Sequence, residues 1–146
     1  MPKKTIIIIT ALVAFAVITG LIFTRKPAVD DCRFFGGIMG KSVAKGELVN
    51  NGAMAVTIQE KSININIHPK RFNSTEPIEK IVNNYFPTEK RDEIIKATND
   101  SCEVVKAGSF IDGAETYRYT SETGNSIYIR TWSNFGGTVY ILIRSV

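Results

Sequence analysis

The chain has a single histidine, His68, and this is the first residue to examine for chemistry. It ends a strictly alternating run, and this alternation places it on the polar side of a strand with Asn64 and Asn66. No Cys or His stands near it at metal-ligand spacing, and no nucleophile motif such as a serine elbow accompanies it. We therefore interpret His68 as a solvated or edge-strand residue. The sequence predicts no catalytic residue, no metal site and no cofactor.

A glycine-rich stretch, residues 36–42, ends in Gly-Lys-Ser, which in a P-loop would cradle phosphates. A P-loop needs a glycine five positions before Gly40, where this chain has Phe35, together with a preceding strand and a following helix. Ser42 and Lys45 have the spacing of the S-x-x-K acyl-enzymes, but the other elements of that motif are absent. The stretch is also too rich in glycine for a stable helix interior. We predict a flexible turn.

The only two cysteines, Cys32 and Cys102, are 70 positions apart, which is incompatible with a CxxC redox pair. A bridge between them would close a loop of about 70 residues and add on the order of 4 kcal/mol to stability in the chain-entropy model. Such bridges persist in oxidising compartments. We predict a Cys32–Cys102 disulfide. Two unrelated buried thiols are the alternative.

Residues 5–23 form an apolar run without charge, Asn, Gln or Pro. A helix of this length spans about 28 Å, close to the hydrocarbon thickness of a bilayer. A cleaved signal peptide is the alternative, because residues 14–16 read Ala-Phe-Ala, but cleavage there would leave an apolar N-terminus in water. We predict a retained transmembrane anchor, preceded by a cytoplasmic tail (residues 1–4). A juxtamembrane linker (residues 24–33) then leads to one folded domain (residues 34–146).

The net charge of the chain comes from its N-terminus. Four of the 18 basic side chains, and none of the 14 acidic ones, lie in the first 26 residues, so the rest of the chain is formally neutral. A neutral domain argues against a nucleic-acid partner, because nucleic-acid binders usually carry a basic face in the folded domain. Basic residues flank the anchor on both sides and leave its orientation nearly balanced. The predicted disulfide favours a cytoplasmic N-terminus and an extracytoplasmic domain, periplasmic in a bacterium.

The first part of the domain is predicted to consist of a β-hairpin followed by two helices. Residues 55–59 and 63–67 alternate apolar and polar side chains, and Pro69 ends the second strand, so a β-hairpin is predicted from about residue 54 to 68. An amphipathic helix follows, whose apolar face is formed by Ile78, Ile81, Val82 and Tyr85. Pro87-Thr88-Glu89 begins a second, shorter helix that uses Ile94 and Ile95.

From residue 103 onward the hydrophobic period changes to two. Residues 103–107, 116–121, 126–132 and 138–144 are strand-like and rich in β-branched and aromatic residues. Turn residues separate the last three runs, which predicts a three-stranded antiparallel meander. A hairpin, two helices and a meander give an α+β domain, with the helices covering one face of the sheet.

One face of the predicted meander combines tyrosine, tryptophan and arginine. If Trp132 opposes Thr138 and Tyr119 opposes Tyr128 or Arg130, the opposite face is aliphatic and forms the core. Tyr, Trp and Arg are enriched at the energetic centres of protein interfaces. An ordinary second sheet face is the alternative interpretation. The predicted interaction face consists of Tyr117, Tyr119, Tyr128, Arg130, Trp132, Tyr140 and Arg144.

These features lead to a hypothesis of function. We expect a membrane-anchored, non-catalytic module that binds another protein of the cell envelope, as an inhibitor or immunity-like protein or as an accessory of an envelope complex. A structural subunit that acts through the anchor, residues 5–23, is one alternative. A hydrolase that combines His68 with a carboxylate is the other.

Overall fold

The computed structural model describes residues 30–145, except for the side chain of Phe135. The predicted tail and anchor therefore lie outside the described residues. Within the described range, no helix is both long and apolar enough to cross a membrane. From Asp31 onward the described residues form one compact unit.

This unit is α+β, as predicted, and residues 30–145 contain three α-helices and six strands. Two short 3-10 turns, at Pro69–Arg71 and Asn134–Gly136, complete it. In chain order the main elements are α1 (Asp31–Met39), β1 (Leu48–Asn50), β2 (Met54–Ile58), β3 (Ser62–Ile67), α2 (Glu76–Tyr85), α3 (Thr88–Lys106), β4 (Glu115–Thr120), β5 (Ser126–Trp132) and β6 (Thr138–Arg144).

All six strands form one antiparallel sheet in the order β1-β2-β3-β6-β5-β4. The predicted hairpin is β2 and β3, and the predicted meander is β4, β5 and β6. They join where β3 pairs with β6, with Ile65 opposite Ile141. His68 thus follows an interior strand, since β3 has a neighbour on each side, and it does not lie at a sheet edge.

The core lies between one face of the sheet and the helices. Alternate positions of β3, β5 and β6 bring isoleucine and valine to that face, as the two-residue period requires. These residues belong to one buried cluster with the inward faces of all three helices. Ile65 and Ile129 of the sheet and Ile94 of α3 are fully inaccessible to solvent. The predicted aliphatic core face is therefore confirmed.

Helix α1 occupies a stretch that we predicted to be too rich in glycine for a helix. It begins at Asp31, inside the predicted linker, and contains Gly36 and Gly37. Each glycine costs a helix about 1 kcal/mol relative to alanine, but burial of a large side chain contributes more. Phe35 is fully buried in the core, so tertiary packing outweighs the local propensity. The helix ends before Gly40, whose φ of +65° is typical of a residue that terminates a helix.

Helix α3 is longer than predicted, and the strand predicted over residues 103–107 is wrong. Its buried face includes two polar residues, Thr98 and Ser101, which interrupt the apolar helical period in the sequence. Their hydroxyls donate to the carbonyls of Ile94 and Ala97, four residues earlier, at 2.9 and 2.8 Å. These hydrogen bonds remove the cost of burying the hydroxyls and let the helix continue to Lys106.

The predicted disulfide is not seen, and Cys32 and Cys102 are both free thiols. Cys32 is half-exposed at the start of α1, close to Tyr85. Cys102 is buried on the inward face of α3, close to Glu103 and Lys106. A bridge needs the two Cα atoms within about 7 Å of each other, and the two cysteines belong to different helices, α1 and α3.

We expect the two thiols to react very differently in the folded protein. Burial raises the pKa of Cys102 to about 11, so its reactive thiolate is scarce at neutral pH, whereas Cys32 is accessible. Iodoacetamide followed by peptide mass spectrometry should modify Cys32 at least about tenfold faster than Cys102. Denaturation should remove the difference. If neither cysteine reacts with iodoacetamide, even after denaturation, until a reductant is added, the protein contains the Cys32–Cys102 bridge. That result would contradict the free thiols of the structure.

Candidate functional site

The sheet face opposite the helices carries a row of arginine, aromatic and leucine side chains. They belong to β4, β5 and β6 and line a shallow groove of about 500 Å³. None of them is fully buried, because the helices cover only the opposite face. We call this set the Arg-aromatic face. Its members are Arg118, Tyr128, Arg130, Trp132, Tyr140, Leu142 and Arg144.

The strand register decides which predicted residues reach this face. Trp132 is opposite Thr138, as predicted, and Arg130 is opposite Tyr140. The predicted pairing of Tyr119 is wrong, because Tyr119 is opposite Ile127 on β5. Five of the seven predicted residues therefore share the Arg-aromatic face: Tyr128, Arg130, Trp132, Tyr140 and Arg144.

Tyr117 and Tyr119 were predicted for this face but lie on the opposite one. The pairing of β4 with β5 shifts between Glu115 and Tyr117, as in a β-bulge, which reverses the faces of all later residues of the strand. Both tyrosines pack against the core. Tyr119 meets Phe86 edge to face with 6.4 Å between ring centroids, and the Tyr117 hydroxyl donates to Glu93 at 3.3 Å.

The same shift brings Arg118 to the Arg-aromatic face, opposite Tyr128. Arg118 was not predicted for this face, because alternation alone does not reveal a bulge. Leu142 was not predicted either, although it lies between Tyr140 and Arg144 in the same alternation, which is a signal that could have identified it.

The face has more arginines than carboxylates. The Arg118 guanidinium donates to both oxygens of Glu115 at 2.9 Å, and Arg130 reaches the same carboxylate at 3.4 Å. Hydrogen bonding to Arg118, followed by the charges of both arginines, lowers the pKa of Glu115. Arg144 forms no ion pair with any residue in 30–145. Two of the three guanidinium groups thus share one carboxylate, and the face carries an excess of two positive charges.

Contacts within the face hold its aromatic rings in place. The Arg118 and Arg144 guanidinium carbons lie 4.9 and 5.7 Å from the centroid of the Tyr128 ring, within cation–π range. The Tyr140 hydroxyl donates to Asn64 on β3, and burial raises its pKa. The Trp132 indole packs on Gly113, where an added Cβ would lie 3.4 Å from the ring. The surface is therefore preorganised, which lowers the entropic cost of binding.

His68 lies in a different place, in a half-enclosed cavity of about 460 Å³ at one end of the sheet. Burial and, to a smaller extent, the positive charge of Arg71 lower its pKa. The other lining residues are Asn50, Lys70, Arg71, Gly136 and Gly137. None of these residues is acidic, so the described cavity wall contributes no carboxylate that could act with His68 in a hydrolase. In residues 30–145, no three His, Cys, Asp or Glu side chains cluster so as to hold a metal ion.

The chain matches no protein-family model, no curated protein and no solved structure. The geometry of the Arg-aromatic face therefore carries the functional argument. Guanidinium groups that outnumber the carboxylates, beside fixed aromatic rings, can bind further carboxylates and bury apolar side chains at the same time.

Proposed function

We propose that this protein is a membrane-anchored, non-catalytic binding module whose Arg-aromatic face docks an acidic surface of another protein. The observation that carries the proposal is the preorganised face with three arginines and one carboxylate. In the proposal, residues 5–23 anchor the protein and the domain lies outside the cytoplasm. The partner is then a protein of the cell envelope.

The chemistry of the groove supports an acidic protein partner. Arg144 and Arg130 offer donors that Glu115 leaves unused, and a carboxylate accepts two such donors from one guanidinium. Leu142 and Trp132 add apolar area beside these donors, as at the centres of protein interfaces. An acidic segment with an apolar or aromatic residue would satisfy both parts of the groove.

A single-stranded nucleic acid fits the same face less well. Bases stack on the open faces of aromatic rings, but here guanidinium groups cover Tyr128 and Gly113 lies against Trp132. Residues 27–146 also have no net charge, so the domain has no overall excess of positive charge to attract a phosphate backbone. These two observations favour a protein.

Photo-crosslinking in the native host tests the proposal. A photoreactive phenylalanine analogue at Tyr128 should crosslink to one acidic protein, whereas the analogue at Lys96, on an exposed part of α3, should not. Adding Arg144→Ala to the Tyr128 probe should reduce the yield about tenfold, because a charge-assisted hydrogen bond contributes about 1.5 to 3 kcal/mol.

The same experiment can contradict the proposal. An adduct that forms equally from Tyr128 and Lys96, or one that Arg144→Ala leaves unchanged, would show that the face does not select the partner. Replacing residues 5–23 with an unrelated transmembrane helix is the second control. If the crosslink is lost while the protein stays in the membrane, the anchor makes the contact, as expected of a structural subunit.

A further inference from the structure

The cavity beside His68 is the strongest unassigned feature of the described domain. It lies where three parts of the sheet meet: the end of β1, the 3-10 turn after β3, and the turn between β5 and β6. Its volume of about 460 Å³ is within the range of small-molecule sites. It shares no lining residue with the groove of the Arg-aromatic face.

The described wall of this cavity combines two basic side chains, two other polar side chains and the backbone of two glycines. Lys70 and Arg71 form no ion pair with any residue in 30–145, and no lining residue is acidic. The ammonium group of Lys41 lies nearby, donating to the Asn50 carbonyl at 2.7 Å. Gly136 and Gly137 contribute only backbone to the opposite part of the wall. An anion would therefore meet cations and polar groups with no competing carboxylate on the wall.

We propose that this cavity binds a phosphate group, either of a soluble phosphorylated compound or of a lipid headgroup. A phosphate carries up to two negative charges and several strong acceptor oxygens, which match two unpaired cations that approach from adjacent residues. The Lys70 ammonium supplies a point charge, the Arg71 guanidinium a two-pronged donor, and the Asn50 amide a neutral donor. This proposal does not depend on the proposed function.

The test uses the full chain in an uncharged detergent, with inorganic phosphate added at constant ionic strength. Amide resonances of His68, Lys70 and Gly136 should shift and saturate. Lys70→Ala and Arg71→Ala should each weaken the apparent affinity about tenfold or more, the effect of one lost charge-assisted hydrogen bond. Both residues are exposed, so the variants should fold normally, which a thermal unfolding curve verifies. Lys45→Ala, which removes an exposed lysine outside the cavity, should change nothing.

A second arm identifies the source of the phosphate. The full chain is reconstituted in phosphatidylcholine nanodiscs with or without phosphatidic acid, and the same resonances are followed. Shifts with both phosphatidic acid and inorganic phosphate assign a lipid headgroup, whereas shifts with inorganic phosphate alone assign a soluble compound. Absence of a saturable shift with either probe would overturn the proposal. Equal weakening by Lys45→Ala and Lys70→Ala would do the same, because it indicates unspecific attraction.

Discussion

The double substitution Arg130→Glu with Arg144→Glu is expected to weaken binding of the crosslinked partner by at least about 100-fold. Each substitution removes a donor to a partner carboxylate and places a like charge opposite it, and one charged hydrogen bond alone is worth about 1.5 to 3 kcal/mol. Surface plasmon resonance with the purified partner measures the change. Both side chains are at least partly exposed, but Arg130→Glu places a second carboxylate opposite Glu115, so we expect the free energy of unfolding to fall by about 1 to 2 kcal/mol.

A matched control separates this effect from a general change of charge. Lys45→Glu with Lys96→Glu changes the net charge equally, at exposed positions off the Arg-aromatic face, and should leave the affinity within about twofold. Raising the salt concentration should weaken the wild-type complex and affect the Arg130 and Arg144 double variant much less. If both double variants weaken binding equally, the face is not the docking surface.

Gly137→Ala is expected to lower the free energy of unfolding by roughly 2 to 5 kcal/mol. The residue has a φ of +104°, a conformation that costs other residues on the order of 1 to 3 kcal/mol. An added Cβ would also lie 2.8 Å from Cγ1 of Val105, a buried and stiff side chain of α3. Such overpacking adds about 1 to 3 kcal/mol. Urea unfolding followed by circular dichroism measures the loss.

The neighbouring glycine is the control for the backbone contribution. Gly136 has a φ of +84°, but its added Cβ would meet no atom within 4 Å, so Gly136→Ala should cost only about 1 to 2 kcal/mol. Combining Gly137→Ala with Val105→Ala should recover at least about 1 kcal/mol relative to the sum of the two single losses. Equal losses at positions 136 and 137 would mean that the contact with α3 is unimportant.

The reversal of Tyr117 and Tyr119 illustrates where sequence reasoning failed. The composition of β4 predicts a strand correctly, but a bulge between Glu115 and Tyr117 inverts its two faces. No local residue signals this bulge. Its position is tied to tertiary contacts, since the Thr116 hydroxyl lies 2.8 Å from that of Ser101 on α3 and donates to the Ile129 carbonyl. Compared with the predicted face, the Arg-aromatic face lacks Tyr117 and Tyr119 and contains Arg118, which adds one positive charge.

Local patterns by themselves determined the α+β class, the central hairpin, the helix α2 and the meander, including the pairing of Trp132 with Thr138. These features follow from a short-range period of two or 3.6 residues, which the chain displays wherever one side of an element is apolar. Only the tertiary structure decided that residues 31–39 form a helix and that α3 extends to Lys106. The physical reason is that two contributions outweigh the local helix propensities: the burial of Phe35, and the hydrogen bonds that satisfy the buried hydroxyls of Thr98 and Ser101 on α3. The sequence near these residues shows neither contribution.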